Sequence, residues 1–174
     1  MLIVCGKYDN IRAKGLIRMS ENILYVYCDG ACRGNQSRIN VGGWGVFMEY
    51  RNHTKELYGS TENTSNQKME LYACISALKN IKRKDVTIEV ITDSQYVVKG
   101  ITEWIHNWKR RNWHNSKGDP VENQNLWHEL SALKETFTDI RFKHCKGHSN
   151  IKGNIKADFL ANLGMDERQN IGVN

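Results

Sequence analysis

The sequence predicts an α/β protein built on a mixed β-sheet, and three observations lead to this class. Segments rich in β-branched and aromatic residues recur along the chain, beginning with the stretch from Ile23 to Asp29. The first three such segments follow one another with only short turns between them, as in an antiparallel meander. Later segments alternate with helical patterns, which is typical of parallel strands. The order β-β-β-α-β-α-β-α therefore predicts a mixed sheet with helices packed on it.

Composition and charge narrow the function classes. The net charge of +6 and the pI near 9.1 favour a polyanionic partner such as nucleic acid, although a basic protein without such a partner would have the same balance. The five cysteines are odd in number, scattered and without a C-x-x-C pair, which argues against a disulfide framework and a zinc knuckle. No apolar stretch reaches the roughly 18–20 residues that span a bilayer. We therefore expect reduced thiols, no membrane contact and an intracellular location, in cytoplasm or nucleus.

The first predicted strand ends in a carboxylate. Along it Ile23, Tyr25, Tyr27 and Asp29 share one face, because successive side chains alternate, and Gly30 is expected to break the strand. A carboxylate at the end of a strand can hold a cation, but a strand-ending aspartate is more often a plain turn former. Asp29 alone leaves both interpretations open.

The other elements follow from hydrophobic periodicity and capping signals. Thr64 with Gln67 fits a capping box, and Ser94 is placed to cap the helix after the fourth strand. A helix over 95–113 is expected to bend near Gly100. The further predicted strands cover 41–50, 55–60, 86–93 and 140–144, and the further helices cover 64–84, 123–136 and 154–163. The first helix is expected to turn one face to the core, made of Met69, Tyr72, Ala73, Ser76, Ala77 and Ile81.

Four carboxylates stand out in this scheme. Asp29 and Asp93 each end a strand, and if those strands are parallel neighbours both lie at the same edge of the sheet. Glu70 lies in the first turns of the helix after the meander, and Asp158 lies in the last helix. Each acid has an ordinary structural explanation of its own, such as the favourable position of an acid at a helix start. Their joint pattern favours a shared function.

Six segments carry a family resemblance. They are D-G-A-C-R-G-N at 29–35, G-G-W-G at 42–45, T-S-N-Q-K-M-E-L at 64–71, T-D-S-Q-Y-V at 92–97, G-I-T-E-W-I-H-N-W-K-R-R-N-W at 100–113 and K-G-H-S-N-I-K-G-N-I-K-A-D at 146–158. Because of their order, spacing and number, the chain resembles the type 1 ribonuclease H family from about residue 25 to residue 163. The resemblance implies a ribonuclease H-like α/β fold with a five-stranded mixed sheet, three antiparallel strands followed by parallel ones, flanked by helices.

The resemblance also implies an activity. It implies an endonuclease that cuts the RNA strand of RNA–DNA hybrids and leaves 5′-phosphate and 3′-hydroxyl ends. We divide the chain into an N-terminal extension of unknown role (1–22), a ribonuclease H catalytic domain (23–165) and a C-terminal tail (166–174). We expect a monomer whose partner is the hybrid duplex.

The family's catalytic and metal-binding positions fall on Asp29, Glu70, Asp93 and Asp158, which the resemblance implies bind two Mg²⁺ ions, with Mn²⁺ as an alternative. Asp29 would bridge both ions, Asp158 would serve the side of the attacking water, and Glu70 and Asp93 the leaving-group side. Two such ions about 4 Å apart activate water and stabilise the leaving oxygen, and Mg²⁺ prefers oxygen ligands. His148, in a glycine-flanked loop, matches a mobile catalytic histidine that assists water activation or product release. An ordinary surface histidine is the alternative.

Nucleic-acid contacts are implied by the same resemblance. The matching positions are Cys32, Asn35, Ser65, Asn66, Gln67, Gln95, Tyr96, Trp104, Trp108, Lys109, Arg110, Ser116 and Asn123. Polar groups among them can test for the 2′-hydroxyl that separates RNA from DNA. The tryptophans and neighbouring cations resemble the family's basic protrusion, which grips the DNA strand through phosphate contacts and stacking. An amphipathic helix with a tryptophan core stripe is the alternative.

Two other functions remain as alternatives. One is a catalytically silent RNA–DNA hybrid-binding module, and the other is a different nuclease or strand-transfer enzyme on the same fold. The presence of all four carboxylates and of His148 argues against the first. The hybrid-reading asparagines and the basic protrusion argue against the second.

Overall fold

The fold is seen in a computed structural model that describes residues 22–34, 40–147 and 150–171. Within these residues, five strands form one sheet in the order β3-β2-β1-β4-β5. The strands are β1 (Ile23–Arg33), β2 (Val41–Tyr50), β3 (His53–Glu62), β4 (Thr87–Thr92) and β5 (Ile140–His144). The β1–β2 and β2–β3 pairs are antiparallel, and the β1–β4 and β4–β5 pairs are parallel. The predicted five-stranded mixed sheet is confirmed.

Helices pack on both faces of the sheet. They are α1 (Asn66–Asn80), α2 (Gln95–Lys99), a π-helical segment (Gly100–Trp104), α3 (Ile105–Arg110), α4 (Gln124–Glu135) and α5 (Lys152–Ile171). On one face α1 packs on β1 and β2 and against α4, while on the other α5 crosses β1, β2 and β3. None of the described helices is long and apolar enough to cross a membrane.

The main core lies between α1 and the sheet. Leu24, Val26 and Cys28 are buried on this face of β1, and they alternate with half-buried Tyr25 and Tyr27. The predicted alternation is therefore confirmed, and the most deeply buried face is the one opposite Asp29. Each large apolar side chain buried in this layer contributes about 1.5–3 kcal/mol to stability.

Two glycines allow helices to lie directly on the sheet. A Cβ atom on Gly30 would lie 2.3 Å from the backbone nitrogen of Glu70 in α1. A Cβ atom on Gly45 would lie 2.1 Å from the carbonyl oxygen of Ala157 in α5. Any side chain at these positions would push the helices away, so both glycines fix the distance between the sheet and the helices that carry Glu70 and Asp158.

Several predicted boundaries are wrong, and tertiary pairing explains them. β1 does not break at Gly30 but continues to Arg33, because β2 pairs with it as far as Val41. β3 is longer at both ends than expected for the same reason. The N-cap of α1 is Ser65 and not Thr64: the Ser65 hydroxyl accepts a hydrogen bond from the Lys68 amide at 3.4 Å. The Thr64 backbone is instead held by both atoms of the Asn40 side-chain amide.

The helices also differ from the prediction in extent. The buried side of α1 is wider than one face, because α4 packs on it; Leu71, Cys74, Ile75 and Leu78 are buried as well, whereas Tyr72 and Ser76 are half-buried. The expected irregularity at Gly100 is confirmed as the start of the π-helical segment, where a Cβ atom would lie 2.1 Å from the Trp127 ring. The last helix continues to Ile171, so the boundary that we expected after residue 165 lies inside α5.

Candidate active site

Four acidic side chains approach one edge of the sheet, where the parallel strands end. The parallel pairing of β1 with β4 ends at Tyr27 and Ile91, so Asp29 lies just beyond it, and Asp93 directly follows β4. β1 and β4 are parallel neighbours, which is the condition under which we expected Asp29 and Asp93 to lie at the same edge of the sheet. α1 packs closely on Gly30 of β1 and so carries Glu70 to this edge. α5 packs closely on β2, on the other face of the sheet, and carries Asp158 to the same edge.

Asp29 is the electrostatic centre of this group. Its pKa is raised to about 7, first by burial and then by the negative charges of Asp93 and Asp158. A hydrogen bond between the Asp29 and Asp158 side chains raises the pKa as well, while a hydrogen bond from the Gly30 backbone amide lowers it. Carboxylates this close disfavour one another's ionisation. The cluster therefore holds excess negative charge that a cation would offset.

Glu70 is held by Ser94, through a hydrogen bond that the sequence did not predict. The Ser94 hydroxyl donates a hydrogen bond to Glu70 Oε2 at 2.6 Å and accepts one from the Val97 amide at 3.2 Å. Ser94 is thus both the predicted N-cap of α2 and an anchor for Glu70. Burial raises the pKa of Glu70, the nearby Asp93 charge raises it further, and the Ser94 hydrogen bond acts in the opposite direction.

Asp158 is exposed on α5 and is held by a neighbour one turn later in the helix. Asn162 Nδ2 lies 3.1 Å from Asp158 Oδ1 and 2.9 Å from the Asp158 carbonyl oxygen. The i, i+4 spacing is the signal that could have pointed to Asn162, because such pairs meet on a helix surface.

The donor chemistry of the cluster fits a hard divalent cation. All four side chains offer carboxylate oxygens, the ligands that Mg²⁺ prefers. In the described part of the chain, no three His, Cys, Asp or Glu side chains lie close enough together to hold an ion as they stand. The carboxylates are therefore a crowded anionic cluster and not a preformed cage. The pKa of Asp29 is raised first by its burial and then by this crowding.

An aromatic groove is formed by the end of the π-helical segment, by α3 and by the turn that follows α3. It has a volume of about 450 Å³ and is lined by Trp104, Asn107, Trp108, Arg111, His114, Asn115 and Ser116. The two indole rings of the groove lie 5.9 Å apart, and Trp108 packs at 5.2 Å against buried Trp127. The packing of Trp108 on Trp127 agrees with the core-stripe interpretation, while the role of the tryptophans in gripping nucleic acid stays a prediction. Arg111 and His114 also line the groove and were not among the predicted contacts.

The remaining predicted contacts lie at or next to the starts of three helices, α1, α2 and α4. Ser65, Asn66 and Gln67 lie at the start of α1 and Gln95 at the start of α2. Tyr96 accepts hydrogen bonds from Asn123 at 3.2 Å and from Trp127 at 3.1 Å, so its hydroxyl is engaged internally.

Three predicted contacts differ from expectation in their surroundings. Cys32 lies within β1 and not in a turn, because β1 is longer than predicted. Lys109 turns towards α4, where its Nζ lies 3.0 Å from Glu135 and 2.9 Å from Ser131, and Arg110 bonds the Asn107 side chain. Asn35 and His148 lie outside the described residues.

Comparisons with known proteins agree with this geometry. The RNase H family model matches residues 21–166. A ribonuclease H from Coxiella burnetii (strain RSA 493) is 48% identical over 91% of this chain and 99% of its own length, and one from Thiobacillus denitrificans is 47% identical over 84% and 96%. A crystal structure of LC9-RNase H1, a type 1 RNase H with the type 2 active-site motif, superposes with a TM-score of 0.74 at 29% identity, covering 84% of this chain and 73% of that one. The chain belongs to the ribonuclease H family.

Proposed function

We propose that this protein is an endonuclease that hydrolyses the RNA strand of RNA–DNA hybrids, with two divalent cations bound by the four carboxylates. Ribonuclease H activity is that of the family to which the chain belongs. The metal number, the residue roles and the product ends, a 5′-phosphate and a 3′-hydroxyl, are our proposal. The observation that carries it is that the four carboxylates approach one edge of the sheet, with Asp29 beside both Asp93 and Asp158. Burial first, and then these neighbouring charges, raise the pKa of Asp29 to about 7.

The position of each carboxylate suggests which of the two ions it would bind. Asp29 is central and partly buried, which suits a ligand shared by both ions. Asp158 approaches from α5 on one side, and Glu70 and Asp93 approach from α1 and β4 on the other. Two divalent cations bound there would supply charge stabilisation for the attacking and leaving oxygens. The chain's own contribution is to hold four oxygen ligands on rigid elements, with Ser94 orienting Glu70.

His148 keeps the role that we expect for it, assistance to water activation or product release. The described neighbour supports this assignment, since a Cβ atom on Gly147 would lie 3.1 Å from Asp93 Oδ2. The chain therefore passes beside the cluster directly before His148. We expect His148→Ala to lower kcat by about 10²-fold, within the range for a general acid–base group, and His53→Ala, at the start of β3, to leave it unchanged.

The substrate would lie across the cluster and the aromatic groove. Base and sugar faces stack on indole rings, and Arg111 offers a charge to phosphate. Ser65, Asn66 and Gln67 at the start of α1 and Gln95 at the start of α2 present polar groups for the RNA strand. We further propose that the protein is a monomer. We also propose that it works in a reducing compartment, which the free thiols of Cys28, Cys32 and Cys74 support.

A strand-specific cleavage assay tests the function. A hybrid with labelled RNA, the same hybrid with labelled DNA, a DNA duplex and an RNA duplex are incubated across a range of Mg²⁺ or Mn²⁺ concentrations and in EDTA. We expect cleavage of the hybrid's RNA strand alone, and none in EDTA. Asp29→Asn and Asp93→Asn should each lower the rate by at least about 100-fold. Asp85→Asn, an exposed acid paired with Arg83 before β4, is the matched control.

The possible outcomes separate the candidate functions. Hybrid binding without cleavage in either metal would revive the catalytically silent module. Equal cutting of the DNA duplex would favour a different nuclease on this fold. Undiminished cleavage in EDTA would contradict the metal mechanism.

A further inference from the structure

We propose that Arg33 and Asn162 are positioning residues that hold the Asp158 carboxylate in place for the metal. The inference rests on the proposed function, in which Asp158 is a metal ligand. Asp158 is the most exposed of the four carboxylates, so its side chain has the most freedom to lose when it binds an ion. A contact that fixes its direction beforehand therefore favours binding.

Asn162 makes the first contact. Its Nδ2 group donates to Asp158 Oδ1 at 3.1 Å and to the Asp158 carbonyl oxygen at 2.9 Å. These two bonds tie the carboxylate to its own helix backbone, on the side of α5 that approaches Asp29.

Arg33 makes the second contact, and it fixes the direction of the amide. One guanidinium nitrogen of Arg33 donates to Asn162 Oδ1 and another donates to Asp166 Oδ1. Because the guanidinium only donates and the carboxylate only accepts, this amide orientation is the one that satisfies both partners. The rigid fork of Arg33 spans Asn162 and Asp166, one turn apart on α5.

The network joins the two elements that carry the central ligands. Arg33 is the last residue of β1, the strand of Asp29, while Asn162 lies on the helix of Asp158. The guanidinium bonds Asp166 and Asn162, not the Asp158 carboxylate itself. A neutral amide thus orients the ligand, while the balancing charge of Arg33 is directed to Asp166 and does not compete with a cation for the Asp158 oxygens.

Four variants test the network. Asn162→Leu removes the amide at similar volume and Arg33→Met removes both the charge and the fork. Arg33→Lys keeps the charge but replaces the planar fork of donors with a single ammonium nitrogen on a flexible stem. Arg168→Met is the matched control, since Arg168 forms a comparably exposed ion pair between α5 and Glu62 at 3.0 Å, at the far end of the helix. Mg²⁺ binding to the substrate-free proteins is measured by calorimetry, alongside kcat, the KM for hybrid and the Mg²⁺ concentration for half-maximal cleavage.

We expect Asn162→Leu and Arg33→Met to weaken Mg²⁺ binding and raise the half-maximal Mg²⁺ concentration by about tenfold, at the low end for residues that orient metal ligands. Arg33→Lys should have a smaller effect, and the KM for hybrid at saturating Mg²⁺ should change less than twofold. Arg168→Met should bind Mg²⁺ as the unmodified protein does.

The result that overturns the inference is Mg²⁺ binding in Asn162→Leu and Arg33→Met equal to that of Arg168→Met. Asp158→Asn separates this failure from failure of the proposed function. If Asp158→Asn loses Mg²⁺ binding and cleavage while the network variants do not, only the positioning role is wrong. If Asp158→Asn binds Mg²⁺ unchanged, the proposed metal site itself is wrong and the positioning role falls with it.

Discussion

Asp29 contributes a pH-dependent part of the stability of the metal-free protein. Its pKa of about 7 in the folded protein lies above the ordinary value of 3.8, so between these values the folded chain retains a proton that the unfolded chain has lost. The stability linked to this group is fully present below about pH 4 and is lost as the pH rises through 7. The ionised carboxylate lowers the free energy of unfolding by roughly 2–4 kcal/mol once both states are deprotonated.

Asp29→Asn should therefore stabilise the metal-free protein at pH 8, by roughly 1–3 kcal/mol, while it abolishes activity. The neutral amide cannot ionise, so the variant should also lose less stability between pH 5 and pH 8 than the unmodified protein. Urea unfolding in EDTA at both pH values measures this. Identical pH dependence in the two proteins would contradict the assignment.

Ser94→Ala tests a residue with two functions. The change removes the N-cap of α2 and the hydrogen bond to Glu70, so we expect a loss of about 1–2 kcal/mol in the free energy of unfolding. Glu70 would then be free to turn, and the Mg²⁺ requirement for cleavage should rise. Ser65→Ala is the control for the loss of a cap, because among the described residues the Ser65 hydroxyl is bonded to the Lys68 amide and to no carboxylate. Since Ser65 is also a proposed RNA contact, the two variants are compared by Mg²⁺ binding to the substrate-free proteins. If both variants weaken Mg²⁺ binding equally, Ser94 acts only as a cap.

Residue types were more predictable than their contacts. The four carboxylates could be selected as candidates because the motifs in which they lie resemble those of the ribonuclease H family. The second bond of Ser94 and the link from Arg33 to Asn162 join residues far apart in the chain, and the chain fold alone brings them together. Local spacing carries no signal for such pairs.

At the scale of elements, α5 can pack directly on β2 because position 45 is a glycine. Gly45→Ala would bring a methyl group to 2.1 Å from Ala157 O and 2.5 Å from Ala161 N, both backbone atoms that can yield only if α5 moves. We expect a loss of about 2–3 kcal/mol in stability, the usual cost of overpacking, together with weaker Mg²⁺ binding, because Asp158 moves with the helix.

The control for Gly45→Ala is Gly118→Ala, in the turn before Pro120. Gly118 has φ +90 and open space around it, so alanine there should cost about 1–2 kcal/mol through backbone strain alone. Thermal unfolding and Mg²⁺ calorimetry compare the two variants. Unchanged Mg²⁺ binding in Gly45→Ala would show that the helix position does not set the ligand position.

The order and types of the main elements were predictable because each strand and helix carries its own period and caps. Their ends were less so. β1 passes through Gly30 because β2 supplies hydrogen-bond partners there, and α5 continues to Ile171 while Asp166, Glu167 and Arg168 bond back to the sheet. Such ends are set by neighbours that are distant in sequence.

At the scale of the whole molecule, the net charge of +6 favours a salt-dependent interaction with the hybrid. Arg111 lines the groove, whereas Lys109 is engaged by Glu135. We expect Arg111→Ala to weaken hybrid binding and to lower the slope of log affinity against log salt by about one, since one phosphate contact is lost. Lys109→Ala should change the slope less.

Binding is best measured in an Asp29→Asn background, so that the hybrid stays intact. Fluorescence anisotropy across a series of salt concentrations gives both slopes. Equal slopes for Arg111→Ala and Lys109→Ala would mean that the two cations contact phosphate alike and that the Lys109–Glu135 pair opens when the hybrid binds.

The crossing of α5 over three strands has a consequence for synthesis of the protein. α5 follows all the other described elements, yet it lies on β1, the first strand, and carries Asp158 to Asp29. While the polypeptide is still emerging from the ribosome, strands β1 to β5 can assemble into the sheet. The face of β1, β2 and β3 on which α5 packs then remains exposed to solvent. If Asp158 is a metal ligand as we propose, the newly made chain lacks one of its four ligands until α5, the last of the described helices, has emerged and docked.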